Sequence, residues 1–428
     1  MAKDLPETDA QTLLTAFETV RRRSLRWAEG LSAEDLCIQT MADVSPGKWH
    51  LAHTTWFWET FLLKEAAAGY ASFDPRFNYL FNSYYEAVGE RHARPERGFL
   101  SRPSLDEVLA YRAHVDEAVR GWFESAAANA HGALEMVIRT GLAHEEQHQE
   151  LFLTDIKHVL SCNAFPQAAY MRDEALSGPL EPVWKEPDWI AFEGELHEFG
   201  HAGAGFAFDN EGPHHKAWLA PFALAARPVT NAEYLVFMED GGYERAEFWL
   251  AEGWTAVCEE GRRAPYYWRQ SEGGWSEFTL HGLRRLDPDA PVSHLDYYEA
   301  SAFAVWSGYR LPEEREWEHA AHQCDPANGR WAAPDGLLHP QKLQDGSGLQ
   351  AMYGEVWEWT RSAYSPYPGY RAPAGAIGEY NGKFMCGQFV LRGGSALTPP
   401  GHVRATYRNF FPPDARWQMS GLRLARDV

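Results

Sequence analysis

Cysteine is scarce and scattered. The five residues Cys37, Cys162, Cys258, Cys324 and Cys386 are odd in number and contain no C-x-x-C pair, which argues against a zinc ribbon or a disulfide scaffold and fits reduced thiols. Long apolar runs are missing as well. No stretch approaches the roughly 18 to 20 consecutive apolar residues that a membrane span needs, and Met1-Ala2-Lys3-Asp4-Leu5-Pro6-Glu7 has no signal-peptide core. A cytoplasmic location without a membrane partner is therefore expected. Positive charge is in short supply: 39 Lys and Arg face 60 Asp and Glu, a net charge of -21. Without a basic face, nucleic acid is not an expected partner. There is no internal repeat and no low-complexity tract. What remains is an ordinary globular composition, 45% apolar and 23% charged, over 428 residues, enough for two or three domains with their own cores.

The stretch His144-Glu145-Glu146-Gln147-His148-Gln149-Glu150 carries two histidines four apart. In a helix that spacing puts both imidazoles on one face, where they can chelate one metal ion. Leu142 and Ala143 lead in, Leu151, Phe152 and Leu153 follow, and no Gly or Pro interrupts His144 to Leu160. The same letters match H-E-x-x-H, the zinc-peptidase helix in which Glu is the general base. The longer form of that motif fails, because Leu151 and Thr154 stand where Gly and His belong; a distant ligand such as Glu174 is compatible with the spacing.

The chain from about Gln11 to His158 reads as helical. Amphipathic runs are expected over Gln11 to Leu31, Trp49 to Ala68, Leu105 to Ala128 and Leu134 to Leu160, the third opened by Ser104 as N-cap with Glu107 three residues on. Four long helices suggest a bundle, and bundles build metal sites from inward side chains of several helices. The second run offers a third ligand, His50 or His53, which share a helix face. Between the second and third runs, Tyr84 and Tyr85 precede a basic cluster with Arg91, Arg94 and Arg97; such a loop supplies phenolic protons and bidentate carboxylate binding, or simply packs its aromatics on the bundle.

Character changes after Asn163. Pro166, Pro179, Pro182 and Pro187 punctuate a linker, and 13 of the 18 Trp lie beyond Val183 among Gly, Pro and short β-type runs. Helices shrink to Asn231 to Met238 and Tyr298 to Ser307. The expected layout is a helical bundle at 1–163, a linker at 164–187 and an irregular α+β domain at 188–428.

Five phrases in the second half, Pro228-Val229-Thr230-Asn231-Ala232-Glu233-Tyr234, Pro291-Val292-Ser293-His294-Leu295, Arg310-Leu311-Pro312-Glu313-Glu314-Arg315-Glu316-Trp317, Gly354-Glu355-Val356-Trp357-Glu358-Trp359-Thr360 and Arg392-Gly393-Gly394-Ser395, together resemble the formylglycine-generating-enzyme (sulfatase-modifying-factor) fold, a relative of C-type lectins. Function does not travel with the fold. Thr398 and Val403 occupy the places where the copper-binding cysteines of those enzymes fall, which disfavours sulfatase maturation. The first half resembles the DinB-like four-helix bundle with a three-histidine metal site. The fusion of the two resembles the ergothioneine sulfoxide synthases, the EgtB family, over nearly the whole chain.

That resemblance implies a mononuclear Fe(II) enzyme that uses O2 to join a thiol sulfur to C2 of the hercynine imidazole as a sulfoxide, with the second domain completing the active site. The family's Leu-Ala-His and His-Glu-x-Gln-His phrases fall on Leu51-Ala52-His53 and His144-Glu145-Glu146-Gln147-His148, so the implied ligands are His53, His144 and His148. By the same resemblance Gln147 binds the hercynine imidazole and Asn409 its carboxylate. Phe410 and Trp417 are candidates for the aromatic faces around the trimethylammonium. Tyr84 and Tyr85 match the paired catalytic tyrosines of the cysteine-using subgroup, with Arg94, helped by Arg91, on the cysteine carboxylate. The branch that uses γ-glutamylcysteine places its catalytic tyrosine in the second domain and has Asp where this chain has Phe411, which points to cysteine as donor. The competing readings are a selenoneine synthase on the same fold, a zinc peptidase on H-E-x-x-H, and a lectin-like binding module.

Overall fold

The computed structural model describes residues 9–125, 132, 134–171, 181–272, 274–343 and 346–428. They divide into two compact units. The first comprises Met1–Phe165 together with two short segments from far along the chain, Gly203–Phe208 and Ala372–Tyr380. The second comprises Pro166–Ala202, Asp209–Arg371 and Asn381–Val428. The division is thus not colinear with a single boundary near residue 163.

The first unit is built on four helices, Ala10–Ala28, Gly47–Trp58, Leu105–Glu124 and Glu135–Ser161. The first buries Leu13, Leu14, Phe17, Val20, Ser24 and Trp27, the stripe that a 3.6-residue period dictates. The third opens on the expected capping box, with the Ser104 hydroxyl accepting from the Glu107 N–H and the Glu107 carboxylate accepting from the Ser104 N–H. The second helix departs from the amphipathic reading. Every residue from Gly47 to Trp58 is buried, because the other bundle helices cover part of it and the short helix Phe77–Phe81 and the turn Asp35–Cys37 cover the rest. Beyond Trp58 it passes through one π-helical turn, Glu59–Leu63. Where the fourth helix crosses it, Gly141 leaves no room for a Cβ, which would stand 2.9 Å from Trp58 and 3.0 Å from Phe57. That close approach sets the two helices' histidines side by side.

The second unit is irregular α+β. Among the described residues its sheets are small: a three-stranded sheet (Trp189–Phe192, Phe222–Ala225, Ala425–Asp427), a four-stranded sheet (Trp357–Ala363, Phe389–Arg392, Asn409–Phe411, Ser420–Gly421), the hairpin Glu195–Phe199 with His215–Leu219, and a meander over Trp268–Ser271, Gly274–Thr279 and Gly282–Arg285. Helices Asn231–Glu239, Tyr297–Trp306 and Glu314–Ala321 each start with a capping box, closed by Thr230 with Glu233, Asp296 with Glu299 and Glu313 with Glu316. The core between these elements holds compensated charge. Arg423 and Trp317 both donate to Glu358, Arg392 to Glu318 at 2.8 Å and Arg408 to Glu314. Part of the proline-rich stretch belongs here too: Ala169 and Tyr170 donate backbone N–H groups to the Leu280 carbonyl. Among the described residues no helix is long and apolar enough to cross a membrane.

Candidate metal centre in the helical unit

His144 and His148 project from one face of the fourth bundle helix toward His53 on the second. Their ligand atoms lie within 4.8 Å of one another, and His53 Nε2 stands 3.1 Å from His144 Nε2. His53 and His144 are 0% and 2% exposed, whereas His148 keeps an open edge. Burial, reinforced by mutual repulsion, holds the pKa of His53 and His148 well below the ordinary histidine value. It brings His144 down to about 3. All three imidazoles are therefore neutral at neutral pH, with lone pairs to offer.

Hydrogen bonds at the far edges of the rings decide which nitrogen points inward. His53 Nδ1 lies 2.6 Å from the Phe81 carbonyl, which only accepts, so the proton sits on Nδ1 and Nε2 faces the cluster. His148 Nδ1 is engaged by His50 at 2.9 Å, which likewise leaves Nε2. Of His50 and His53, His53 has its ligand atom in the cluster and His50 stands behind it. Nε2 lone pairs converging at such short range repel unless a cation sits between them. Three neutral imidazoles suit a first-row metal such as iron, so the residues present fit the group that the resemblance implies.

Glu145, next to His144, has a different task. It is 0% exposed. Its carboxylate takes Arg112 Nη2 at 2.5 Å, Arg21 Nη1 at 3.0 Å, Ser24 Oγ at 2.7 Å and Trp58 Nε1 at 3.2 Å. Burial alone would raise its pKa, but Arg112 and Arg21 override that and hold it at about 2. A carboxylate locked among four donors is no general base, and this removes the zinc-peptidase reading. Glu174, the distant ligand that reading invoked, lies outside the described residues.

Phenols gather beside the histidines. Tyr85 is fully buried, and the Tyr84 hydroxyl donates to its oxygen at 3.5 Å. The Tyr85 ring lies 5.6 Å from that of Trp56, which stacks on His53. Burial first, then the neighbouring Tyr84 and Tyr380, pushes the Tyr85 phenol well above its usual pKa, so it keeps its proton. Tyr380, within the segment Ala372–Tyr380, has its ring 5.8 Å from His144 and 6.4 Å from Tyr84. Its hydroxyl donates to the Gln147 carbonyl oxygen.

With this geometry in view, the comparisons with known proteins are consistent. Residues 16–152 match the DinB superfamily and residues 180–428 match the sulfatase-modifying factor enzyme 1-like domain. Hercynine oxygenase of Mycobacterium tuberculosis is 31% identical over 443 residues, covering 98% of this chain and all of that protein. The chain belongs to the hercynine oxygenase family. A second hercynine oxygenase, from Mycolicibacterium thermoresistibile, is 32% identical over 95% of this chain and 93% of its own length. A formylglycine-generating enzyme from Streptomyces coelicolor is 30% identical over 53% of this chain, a match confined to part of the chain.

The other residues singled out in this hercynine oxygenase relative fall in two places. On the helical unit, Arg91 is half-exposed and pairs with Glu86 at 2.9 Å, and Arg94 donates to the Asp43 carbonyl at 2.5 Å. Arg97 is the buried member of the basic cluster, its guanidinium 3.4 Å from the centre of the Trp49 ring that stacks on His53. On the second unit, Asn409, Phe410 and Phe411 form one strand, paired in register with Leu391, Val390 and Phe389. Phe410 stacks on Tyr364 at 4.1 Å, Asn409 Oδ1 accepts from the Phe410 N–H, and Phe411 meets the buried Trp417 edge-on at 5.9 Å.

Sequence reasoning missed Tyr380 and Asp155. Tyr380 stands alone in Gly378-Glu379-Tyr380-Asn381-Gly382 and carries no local signal. Asp155 does carry one, since it follows His148 by seven residues and so shares its helix face.

Proposed function

We propose that this protein is a non-haem Fe(II), O2-dependent sulfoxide synthase that joins the sulfur of cysteine to C2 of the hercynine imidazole and oxidises that sulfur. The observation that carries the reading is the convergence of three neutral, buried imidazoles in a chain that spans the whole length of a hercynine oxygenase. The reaction balances as hercynine plus cysteine plus O2 giving hercynylcysteine sulfoxide plus water. The C2–H and S–H bonds break, a C–S bond forms, one oxygen atom goes to sulfur and the other leaves as water. Iron held by His53, His144 and His148 would supply the activation of O2.

The protein's own groups bind, orient and move protons. Gln147 is the neighbour of His148 in the helix, its side-chain carbonyl accepts from Tyr380, and it is the residue we assign to the hercynine imidazole. Tyr84, Tyr85 and Tyr380 are phenols close to the histidines, and Tyr85 is held protonated by burial; such groups are suited to deliver a proton as oxygen is reduced. Arg94 and Arg91 present accessible guanidinium groups for the cysteine carboxylate. For Asn409, Phe410, Phe411 and Trp417, the family resemblance alone supports a part in holding substrate. Small molecules in the cytoplasm are then the only partners required.

The test is an anaerobically Fe(II)-loaded protein given hercynine, air and either cysteine or γ-glutamylcysteine, read by mass spectrometry. Hercynylcysteine sulfoxide, formed faster from cysteine than from the dipeptide, is expected. Bound iron with no product from either thiol would overturn the reading, and product from a selenium donor alone would replace it with selenoneine synthesis.

A further inference from the structure

Behind the ligand His148 lies a chain of polar contacts that ends on a buried carboxylate. Asp155 and His50 are each about 95% buried and 3.0 Å apart, Oδ2 to Nε2, and the other nitrogen of His50 faces His148 Nδ1 at 2.9 Å. We infer that Asp155 and His50 are positioning residues which together fix the tautomer and orientation of His148 as a metal ligand. This inference rests on the metal-centre reading above.

Bond directions follow in sequence from the carboxylate. An ionised Asp155 only accepts. It takes the Ser45 backbone N–H at 2.8 Å and faces His50 Nε2 with the same oxygen, so His50 carries its proton on Nε2. With its proton on that side, the His50 ring turns the lone pair of Nδ1 toward His148. His148 must donate its Nδ1–H to that lone pair, which leaves Nε2 of His148 as the nitrogen that faces His53 and His144. The carboxylate thus selects the liganding nitrogen of a residue it never touches.

Asp155 is itself held in place. Ser45, which caps it through the backbone, accepts from Arg97 Nη1 on its hydroxyl at 2.9 Å, and Arg97 lies over Trp49, whose ring stacks on His53 at 4.6 Å and 11°. The same group of residues therefore braces two of the three ligands from behind. Ligating histidines commonly donate their second N–H to a carboxylate or carbonyl, and loss of that partner costs 10- to 100-fold in metal affinity. Here the carboxylate acts through an intervening imidazole, so each link is separately removable.

The experiment compares metal affinity by competition with a chromophoric chelator in the full-length protein, His50→Phe, His50→Gln and Asp155→Asn. Gln offers an acceptor oxygen to His148 and a donor nitrogen to Asp155, so it preserves the polarity of the chain; Phe removes both ends. The expected result is about 10- to 100-fold weaker Co(II) or Fe(II) binding for His50→Phe, with His50→Gln within a few-fold of the parent and a Co(II) absorption spectrum altered by His50→Phe but not by His50→Gln. Equal affinity and spectrum for the parent, His50→Phe and Asp155→Asn would overturn the inference.

A second measurement needs no variant and no metal: the 15N shifts of labelled histidine in the metal-free parent. They should report Nδ1–H for His148 and Nε2–H for His50. An Nε2–H tautomer on His148 would overturn the relay even if every variant misfolds. Failure of the parent to take up one equivalent of metal would contradict the proposed function instead, while the tautomers would still read the relay.

Discussion

Both units bury charge, and they do so to opposite ends. In the second unit four buried carboxylates are each answered by a guanidinium: Glu358 by Arg423, Glu318 by Arg392, Glu314 by Arg408 and Glu299 by Arg416. Glu314, Glu358 and Arg392 come from the phrases that resemble the formylglycine-generating fold. There they hold caps and cross-links between loops. In the first unit one pair of arginines answers Glu145 in the same way, yet one helical position earlier the chain sets His144 against His53 and His148 with nitrogen facing nitrogen. Compensated charge stabilises; converging lone pairs are a deficit that a cation relieves. Those phrases thus contribute to core charge pairs, and the chemistry proposed above rests on a quieter set of histidines and phenols.

Breaking the converging set should have the largest effect. His144→Ala or His53→Ala is expected to remove stoichiometric metal uptake and sulfoxide formation together, with little loss of melting temperature in the metal-free protein, because each removes a repulsive neighbour. A large drop in the metal-free melting temperature would instead mark those imidazoles as structural. Next comes the compensated set. Glu145→Ala strands Arg21 and Arg112 in the bundle core and should cost about 3–5 kcal/mol by denaturant unfolding, as should Glu358→Ala through Arg423 in the second unit. Neither carboxylate touches substrate in this account, so residual folded protein should retain metal.

The phenols should give a smaller, chemical effect. Tyr84→Phe, Tyr85→Phe or Tyr380→Phe is expected to lower C–S bond formation about 100-fold or to divert the reaction toward cysteine dioxygenation, without loss of iron. Unchanged rate and product in all three would remove them from the mechanism.

The most graded effect is acid sensitivity. The Glu145 pKa is depressed in the folded state, from 4.5 to about 2, so its contribution is complete above the unfolded value and disappears as pH falls from about 4.5 toward 2. By linkage that is worth on the order of 3 kcal/mol, and the slope should vanish in Glu145→Gln. The same slope in the variant would assign the acid transition elsewhere.

Much of this was legible in the sequence, and the exceptions have physical causes. The helix Leu105–Glu124 and its capping box follow from Ser104 and Glu107 alone, since caps are local. His144 and His148 follow from helical spacing. The second helix misled because His50 and His53 look like a polar face, whereas each is buried against a specific partner: His50 on Asp155 and His53 on Phe81. The role of Glu145 was hidden because its partners lie on two other helices, and H-E-x-x-H reads the same whether its Glu faces a metal or a pair of arginines. Tyr380 joins the helical unit from far along the chain, where only tertiary structure places it.

One measurement tests the central claim most directly: the reaction of the Fe(II)-loaded protein with hercynine and cysteine under 18O2, followed by mass spectrometry of the product. This account expects a hercynylcysteine sulfoxide that carries one labelled oxygen on sulfur. A sulfoxide with unlabelled oxygen, or no C–S product from protein with a full equivalent of bound iron, would contradict it.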